Sequence, residues 1–252
     1  EEQLIMSHYF ITGASAGIGA ALAKMLTDDG HAVSAVARRK QRLAEIENST
    51  DLFRGYAADV RDADAIAAAV AASHDSFGPV DVAILNAGIY VPQDGKHIEP
   101  VVYADHMNIN YMGVVNALAA VVPQMLAAGR GHIILISSVA GWRGLPKAAA
   151  YGPTKAALIS LAESLYFDLT PKNIKIQVIC PGFVDTEATA VNDFDMPDLM
   201  SAETAAKHII AEMKSDIFLA SFPKSFTRKM KFLKYLPDRL YFSLVGKQTG
   251  VM

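Results

Sequence analysis

Across residues 9–220, short runs of β-branched and apolar residues alternate with Ala-rich stretches of helical character, and this alternation constrains the chain more than any other feature. It predicts repeated β-α-β units, with strands at 8–12, 32–37, 52–57, 80–86, 132–137, 175–180 and 217–219 and helices between them. Several strand runs, such as Ile133-Ile134-Leu135-Ile136, are apolar throughout rather than alternating. A strand covered on both faces requires that pattern, so the sheet is expected to be parallel and central, with helices on both sides. Right-handed crossovers leave few topologies. The expected class is α/β, with a doubly wound sheet of about seven strands in the order 3-2-1-4-5-6-7 and a ligand crevice at the strand C-terminal ends.

Composition agrees with one enzyme-sized domain. The 252 residues are 52% hydrophobic and 19% charged, too apolar for a disordered chain, and neither an internal repeat nor a low-complexity linker divides them. A single domain over 1–252 is expected, with a basic C-terminal extension at 222–252. The net charge of -3 gives no reason to expect nucleic acid as a partner. Cys180 is the one cysteine, which suits a reducing compartment and reads as a small buried hydrophobe. No apolar run approaches the roughly 20 residues of a membrane-spanning helix, and the N-terminus shows no secretory pattern. A soluble, cytoplasmic protein is expected. Residues 1–5 read as a short extension before Met6. The seven histidines form no His-x-x-x-His or comparable cluster, so no metal site is expected.

The segment Thr12-Gly13-Ala14-Ser15-Ala16-Gly17-Ile18-Gly19 lies between the first strand run and an Ala-rich helix. Glycines in such a turn let backbone N–H groups approach a pyrophosphate at the helix N-terminus, which makes the domain Rossmann-type and its ligand a dinucleotide. A tight turn without ligand is the alternative, and the flanking strand and helix argue against it. At the end of the second strand, where a site for NAD offers a carboxylate to the ribose, stand Ala37, Arg38 and Arg39. Two guanidinium groups can instead pair with the 2′-phosphate of NADP, so NADP(H) is preferred over NAD(H). Arg38 leads, being first after the strand. The alternative is that both arginines open a solvated helix.

Tyr151 and Lys155 lie in Tyr-Gly-Pro-Thr-Lys, and a separation of four on a helix puts both side chains on one face. The ammonium favours the phenolate, so the Tyr151 pKa is expected to fall toward the working pH. Pro153 is compatible with a helix that starts close by. Ser138 follows the run 133–137 at the C-terminal edge of a strand, where its hydroxyl can polarise a substrate carbonyl oxygen.

Together these motifs resemble the single-domain short-chain dehydrogenase/reductase family over about residues 7–220. Gly13, Ser15, Ala16, Gly17, Ile18 and Gly19 look like its cofactor turn, Asp59 and Val60 like its adenine contact, and Asn86-Ala87-Gly88 like its central-strand motif. Pro181 and Gly182, followed by Val184 and Thr186, look like its nicotinamide-side turn. The resemblance implies an NADP(H)-dependent oxidoreductase exchanging hydride with a carbonyl or alcohol. In the implied tetrad Tyr151 is general acid and base, Lys155 holds the nicotinamide ribose and tunes Tyr151, Ser138 steadies the substrate oxygen, and Asn110 supports a proton relay. Asn110 is chosen over Asn108 because the family pattern has Asn, two or three residues, Gly, and a second Asn near Asn116. The helices around 107–128 and 154–170 resemble those that pair subunits in the family, implying a homodimer or homotetramer. A different class of reading is an NADP-binding sensor or scaffold with little turnover, which the filled tetrad opposes. A sugar-nucleotide epimerase or dehydratase is disfavoured by the short C-terminal portion.

Substrate-facing positions are expected after the strand ends: Tyr90-Val91-Pro92, Ala140-Gly141-Trp142-Arg143, and 183–200, with Tyr90, Ser138, Trp142, Tyr151 and Phe183 as contacts. The last segment, with Phe194, Met196 and Leu199, reads as a lid over a partly apolar cleft, so the expected substrate is apolar or amphipathic. The tail at 222–247 carries Lys224, Arg228, Lys229, Lys231, Lys234, Arg239 and Lys247 against Asp238. Phe222, Phe226, Met230 and Leu233 recur near helical spacing opposite several of these cations, which suggests a basic amphipathic helix. Two fates stand open for it: packing over the cleft rim or a neighbouring subunit, which is favoured, or lying on an anionic membrane surface.

Overall fold

The computed structural model describes residues 6–192 and 194–250. The extension read at 1–5, and the last two residues of the tail, lie outside them. The strands are β1 (His8–Thr12), β2 (Ala32–Ala37), β3 (Phe53–Ala57), β4 (Val82–Leu85), β5 (Gly131–Ile136), β6 (Ile174–Pro181), β7 (Val184–Asp185), β8 (Met200–Ser201) and β9 (Leu219–Phe222). Seven of them form one sheet in the order β3-β2-β1-β4-β5-β6-β9, every pair parallel, while β7 and β8 pair apart from it. This is the doubly wound order expected, with β9 as the seventh strand.

The continuous apolar runs explain the layering. Ile133 and Leu135 pack on one side with α3 (Ala63–Phe77), α5 (Gly113–Ala128) and α6 (Tyr151–Leu169). Ile134 and Ile136 pack on the other with α1 (Gly17–Asp28), α2 (Lys40–Glu47) and α7 (Ala202–Met213). Burying each such side chain is worth about 1.5–3 kcal/mol, so a polar residue at any of these four positions would be costly.

The sheet's last strand joins two residues later than the expected 217–219. Gln177 Nε2 donates to the carbonyls of Ser215 and Ile217, both at 2.9 Å, and holds that stretch as a turn. β4 is likewise shorter than expected. After Leu85 the chain bends toward β1, and the N–H groups of Asn86 and Ala87 donate to Thr12 Oγ1 at 3.0 and 3.1 Å.

The helical stretch Pro100–Ala128 is long and apolar enough by length and composition to cross a membrane, although no run of apolar residues announced it. His106, Asn108, Asn110 and Asn116 interrupt the runs. It consists of α4 (Pro100–Met107), a π turn (Asn108–Met112) and α5, and it covers the sheet through buried Val114, Ala117, Val121 and Met125. The tail folds as two helices, α8 (Lys224–Lys234) and α9 (Asp238–Thr249), where one was expected. Pro237, at the N-cap of α9, separates them.

Candidate active site

A cavity of about 1360 Å³ runs along the C-terminal ends of the strands. Its first half is built by the glycine turn. Gly13 has φ +74°, and a Cβ there would sit 2.7 Å from the Cα of Ala87. A Cβ on Gly19 would overlap the Gly13 carbonyl, so Gly19 packs beneath the turn and does not line the cavity. Ser15, Ala16, Gly17 and Ile18 do line it. Ala16 offers α1 no side-chain cap and no acid stands in its first turn, so the first N–H groups remain available to an anion. Asn86 braces this turn, its Nδ2 donating to the carbonyls of Thr12 at 3.1 Å and Gly13 at 3.3 Å. Asn86, Ala87 and Gly88 also form part of the wall.

Arg38 and Arg39, both exposed, reach the cavity beside Asp59 and Val60. Arg39 Nε donates to Ser15 Oγ at 3.1 Å, while its Nη1 pairs with Glu187 at 2.8 Å. Asp59 is held by Arg61, which keeps its carboxyl below the usual range, with a smaller pull from Arg38. The Val60 carbonyl accepts from Asn116 Nδ2 at 2.9 Å. An uncapped helix start, a floor that excludes any Cβ, and two cations at the end of β2 fit a dinucleotide carrying an additional phosphate.

The second half holds the hydroxyls. Ser138, extended at the end of β5, caps a short 3₁₀ turn (Val139–Gly141) by accepting from the Ala140 N–H at 3.1 Å. Tyr151 begins α6, and Pro153 accordingly falls in the first turn, as its chemistry requires. Burial pushes the Tyr151 phenol up to about 12, opposed by a hydrogen bond with Ser138. The expected fall toward neutrality is therefore not found. Lys155 lies one turn on, but its Nζ donates to the Ile136 carbonyl at 2.8 Å and stands 5.5 Å from the centre of the Tyr151 ring. Burial also pushes the Lys155 ammonium down to about 8, which weakens the field expected to favour a phenolate.

Asn110 is fully buried within the π turn, off the cavity wall. Its Oδ1 accepts from the Ile89 N–H at 2.7 Å, and its Nδ2 donates to the Ile89 carbonyl at 3.0 Å and Thr154 Oγ1 at 3.1 Å. Both ends of the side chain thus fix the segment after β4. Single π turns inside helices recur at functional sites.

Pro181, Gly182, Phe183, Val184 and Thr186 line the far wall, and Tyr90 stands edge-on to Tyr151 with ring centres 5.2 Å apart. Trp142, an expected substrate contact, is corrected. The 3₁₀ turn carries it inward, where it is 8% exposed in the core near Cys180, away from the cavity. Arg143 is also redirected. It donates to the carbonyls of Lys234 at 3.1 Å and Leu236 at 2.6 Å, pairs with Asp238, and lies 3.9 Å from the centre of the Tyr241 ring. It staples the tail.

The staple gives the tail the favoured of its two expected fates, packing over the cleft rim. Phe226, Met230, Leu233 and Val245, from α8 and α9, close the apolar end of the cavity with Leu145, Phe183 and Phe194. The helical spacing of the first three was the available signal. Lys147, whose φ is 58°, and Glu187 also line the cavity without any local motif to announce them.

Residues 7–196 match the family model described as short chain dehydrogenase. An uncharacterized oxidoreductase of Myxococcus xanthus is 33% identical over 235 residues, covering 92% of this chain and 93% of that protein. A 3-dehydrosphinganine reductase of Arabidopsis thaliana is 35% identical over 207 residues, covering 79% of this chain and 61% of that protein. A short-chain dehydrogenase of Burkholderia cenocepacia, solved in complex with NADP, superposes with a TM-score of 0.84 at 23% identity, covering 96% of this chain and 98% of that one. Its likeness is one of fold. The family match over most of the domain carries the assignment: the chain belongs to the short-chain dehydrogenase family and is an oxidoreductase of that family.

Proposed function

We propose that the chain is an NADP(H)-dependent oxidoreductase that exchanges hydride with a carbonyl or alcohol carbon of an apolar or amphipathic small molecule, Tyr151 moving the proton. The observation that carries this reading is the meeting of Tyr151 and Ser138 on the wall of one cavity whose far end is apolar. Two hydroxyls there can both donate to one substrate oxygen. The reductase of Arabidopsis thaliana, named for a long-chain ketone, supports a substrate of this kind.

Arg38, Arg39 and Ser15 would hold the additional phosphate, the start of α1 the pyrophosphate, Asp59 and Val60 the adenine, and Lys155 with Tyr151 the nicotinamide ribose. Gly88, Val184 and Thr186 would flank the ring. When bound, the nicotinamide supplies the hydride and, in its oxidised form, a positive charge. The protein's own residues supply the proton. A phenol kept neutral by burial is a competent acid toward a substrate oxygen, and help of this kind is worth about 10²–10⁴-fold. Lys155 changes charge near pH 8 and can replace that proton, while Asn110 holds the backbone around Ile89 in place.

Exposed Val101, Met107, Met112 and Leu126 on the stretch Pro100–Ala128, with Phe167 on α6, support a homodimer or homotetramer formed through these helices. The lone, buried Cys180 supports a reducing, cytoplasmic setting.

Tyr151→Phe tests the central point. Turnover on a panel of aldehydes and ketones is expected to fall by about 10²-fold or more with NADPH binding retained. Near-normal turnover removes Tyr151 from its role. NADPH binding by the unaltered chain without turnover of any carbonyl would favour the sensor reading.

A further inference from the structure

Helices α8 and α9 present two faces. The inner face closes the cavity, as described above. On the outer face Phe232, Tyr235, Leu240, Phe242 and Leu244 are all exposed, Tyr235 at 81% and Phe232 at 67%. Lys224, Arg228, Lys229, Lys231, Lys234, Arg239 and Lys247 stand exposed on the same two helices. Asp238, the one acid there, is engaged by Arg143. Phe232 follows Arg228 by four residues and Lys229 by three, which places a large ring between two cations on one stripe, opposite buried Thr227 and Met230.

Few surfaces accommodate both features. A second copy meeting this face about a twofold axis would set one cluster of cations against another. A nucleic acid would neutralise the cations and leave five large apolar side chains without a partner. An anionic lipid surface takes both: headgroups pair with the cations while rings and leucines enter the boundary with the acyl chains. The chain as a whole carries -3, so the part outside this tail is acidic and repelled by such a surface. That repulsion orients the tail toward it.

We propose that the outer face of α8 and α9 seats the protein on an anionic bilayer, with the tail wall of the cavity against the membrane. Docking stands on the tail alone. That this wall then receives an apolar carbonyl compound from the lipid phase rests on the function proposed above.

The test is co-sedimentation of the full chain with phosphatidylcholine vesicles made with or without phosphatidylserine. Binding is expected to the phosphatidylserine vesicles and to weaken as salt is raised. Lys229→Ala should weaken it about fivefold, and Phe232→Ser should weaken it further. Neither residue lines the cavity, so turnover of a water-soluble carbonyl should be unchanged in both. Absence of sedimentation with phosphatidylserine vesicles overturns the proposal, as does sedimentation that the double variant leaves intact. Self-association that Phe232→Ser abolishes, without lipid binding, overturns it in favour of a second copy. Sedimentation requires no turnover, so its outcome is independent of Tyr151→Phe.

Discussion

Arg39 Nη1 lies 3.0 and 2.8 Å from the two carboxylate oxygens of Glu187, joining the end of β2 to the segment after β7 across 148 residues of chain. On the function proposed above, this guanidinium would join Arg38 in holding the additional phosphate, so Glu187 and that phosphate would compete for it. Arg39 and Glu187 are both exposed, which limits such a pair to about 0.2–1 kcal/mol. Glu187→Gln is therefore expected to tighten NADPH binding by up to about fivefold and to leave NADH binding unchanged. Isothermal titration with both cofactors checks this, and equal tightening for the two would contradict the competition.

Arg143 reaches three backbone carbonyls, Asp238 and the Tyr241 ring from a position only 18% exposed. Arg143→Ala leaves those acceptors unpaired and should cost roughly 2–4 kcal/mol. Arg143→Lys should rescue little, because an ammonium has neither the fork nor the plane. Limited proteolysis should then cut within 224–250 well before the core. The KM of an apolar carbonyl should rise more than that of a small polar one.

With the Tyr151 phenol near 12 in the free protein, the neutral form dominates at physiological pH. In the role proposed for Tyr151, carbonyl reduction would need that form and alcohol oxidation the phenolate. The rate of oxidation is thus expected to climb with pH through the alkaline range while reduction does not climb with it. Parallel pH profiles in the two directions would argue against a single phenol serving both.

His132 Nε2 donates to Gln177 Oε1 at 2.7 Å, and burial, aided by Lys175, pushes its imidazole down to about 4. The unfolded chain binds a proton near pH 6.5, and the folded chain resists doing so until about 4. Stability should consequently be lost as pH falls from 6.5 to 4, by roughly 2–3 kcal/mol from this group. His8, lowered in the same direction, adds to the loss. Denaturant melts of His132→Gln should show a shallower acid limb, and an unchanged limb would assign it to other groups.

Local pattern was a reliable guide where the physics is local. β1 and β2 have the expected bounds because both are buried along their whole length and end in a glycine turn and an arginine pair. Ser138, Tyr151 and Lys155 meet because a strand end and one helical turn bring them together. The rest depends on partners far away in sequence. Trp142 turns inward and Arg143 outward because a 3₁₀ turn sets their directions, which residue identity does not encode. The Tyr151 phenol rises instead of falling because its burial outweighs the hydrogen bond with Ser138, and spacing says nothing of burial. Glu187 carries no motif at all.

The division of the cavity between the strand-end turns and the C-terminal helices has an evolutionary corollary. On the function proposed above, dinucleotide recognition would reside in residues before 190, whereas Phe226, Met230, Leu233 and Val245, all after 222, supply much of the hydrophobic roof. Exchanging the roof for that of a relative would alter the shape of the chamber while leaving Tyr151 and Ser138 untouched. Substrate range in such a scaffold can therefore drift at one end of the gene, independently of the redox machinery encoded at the other.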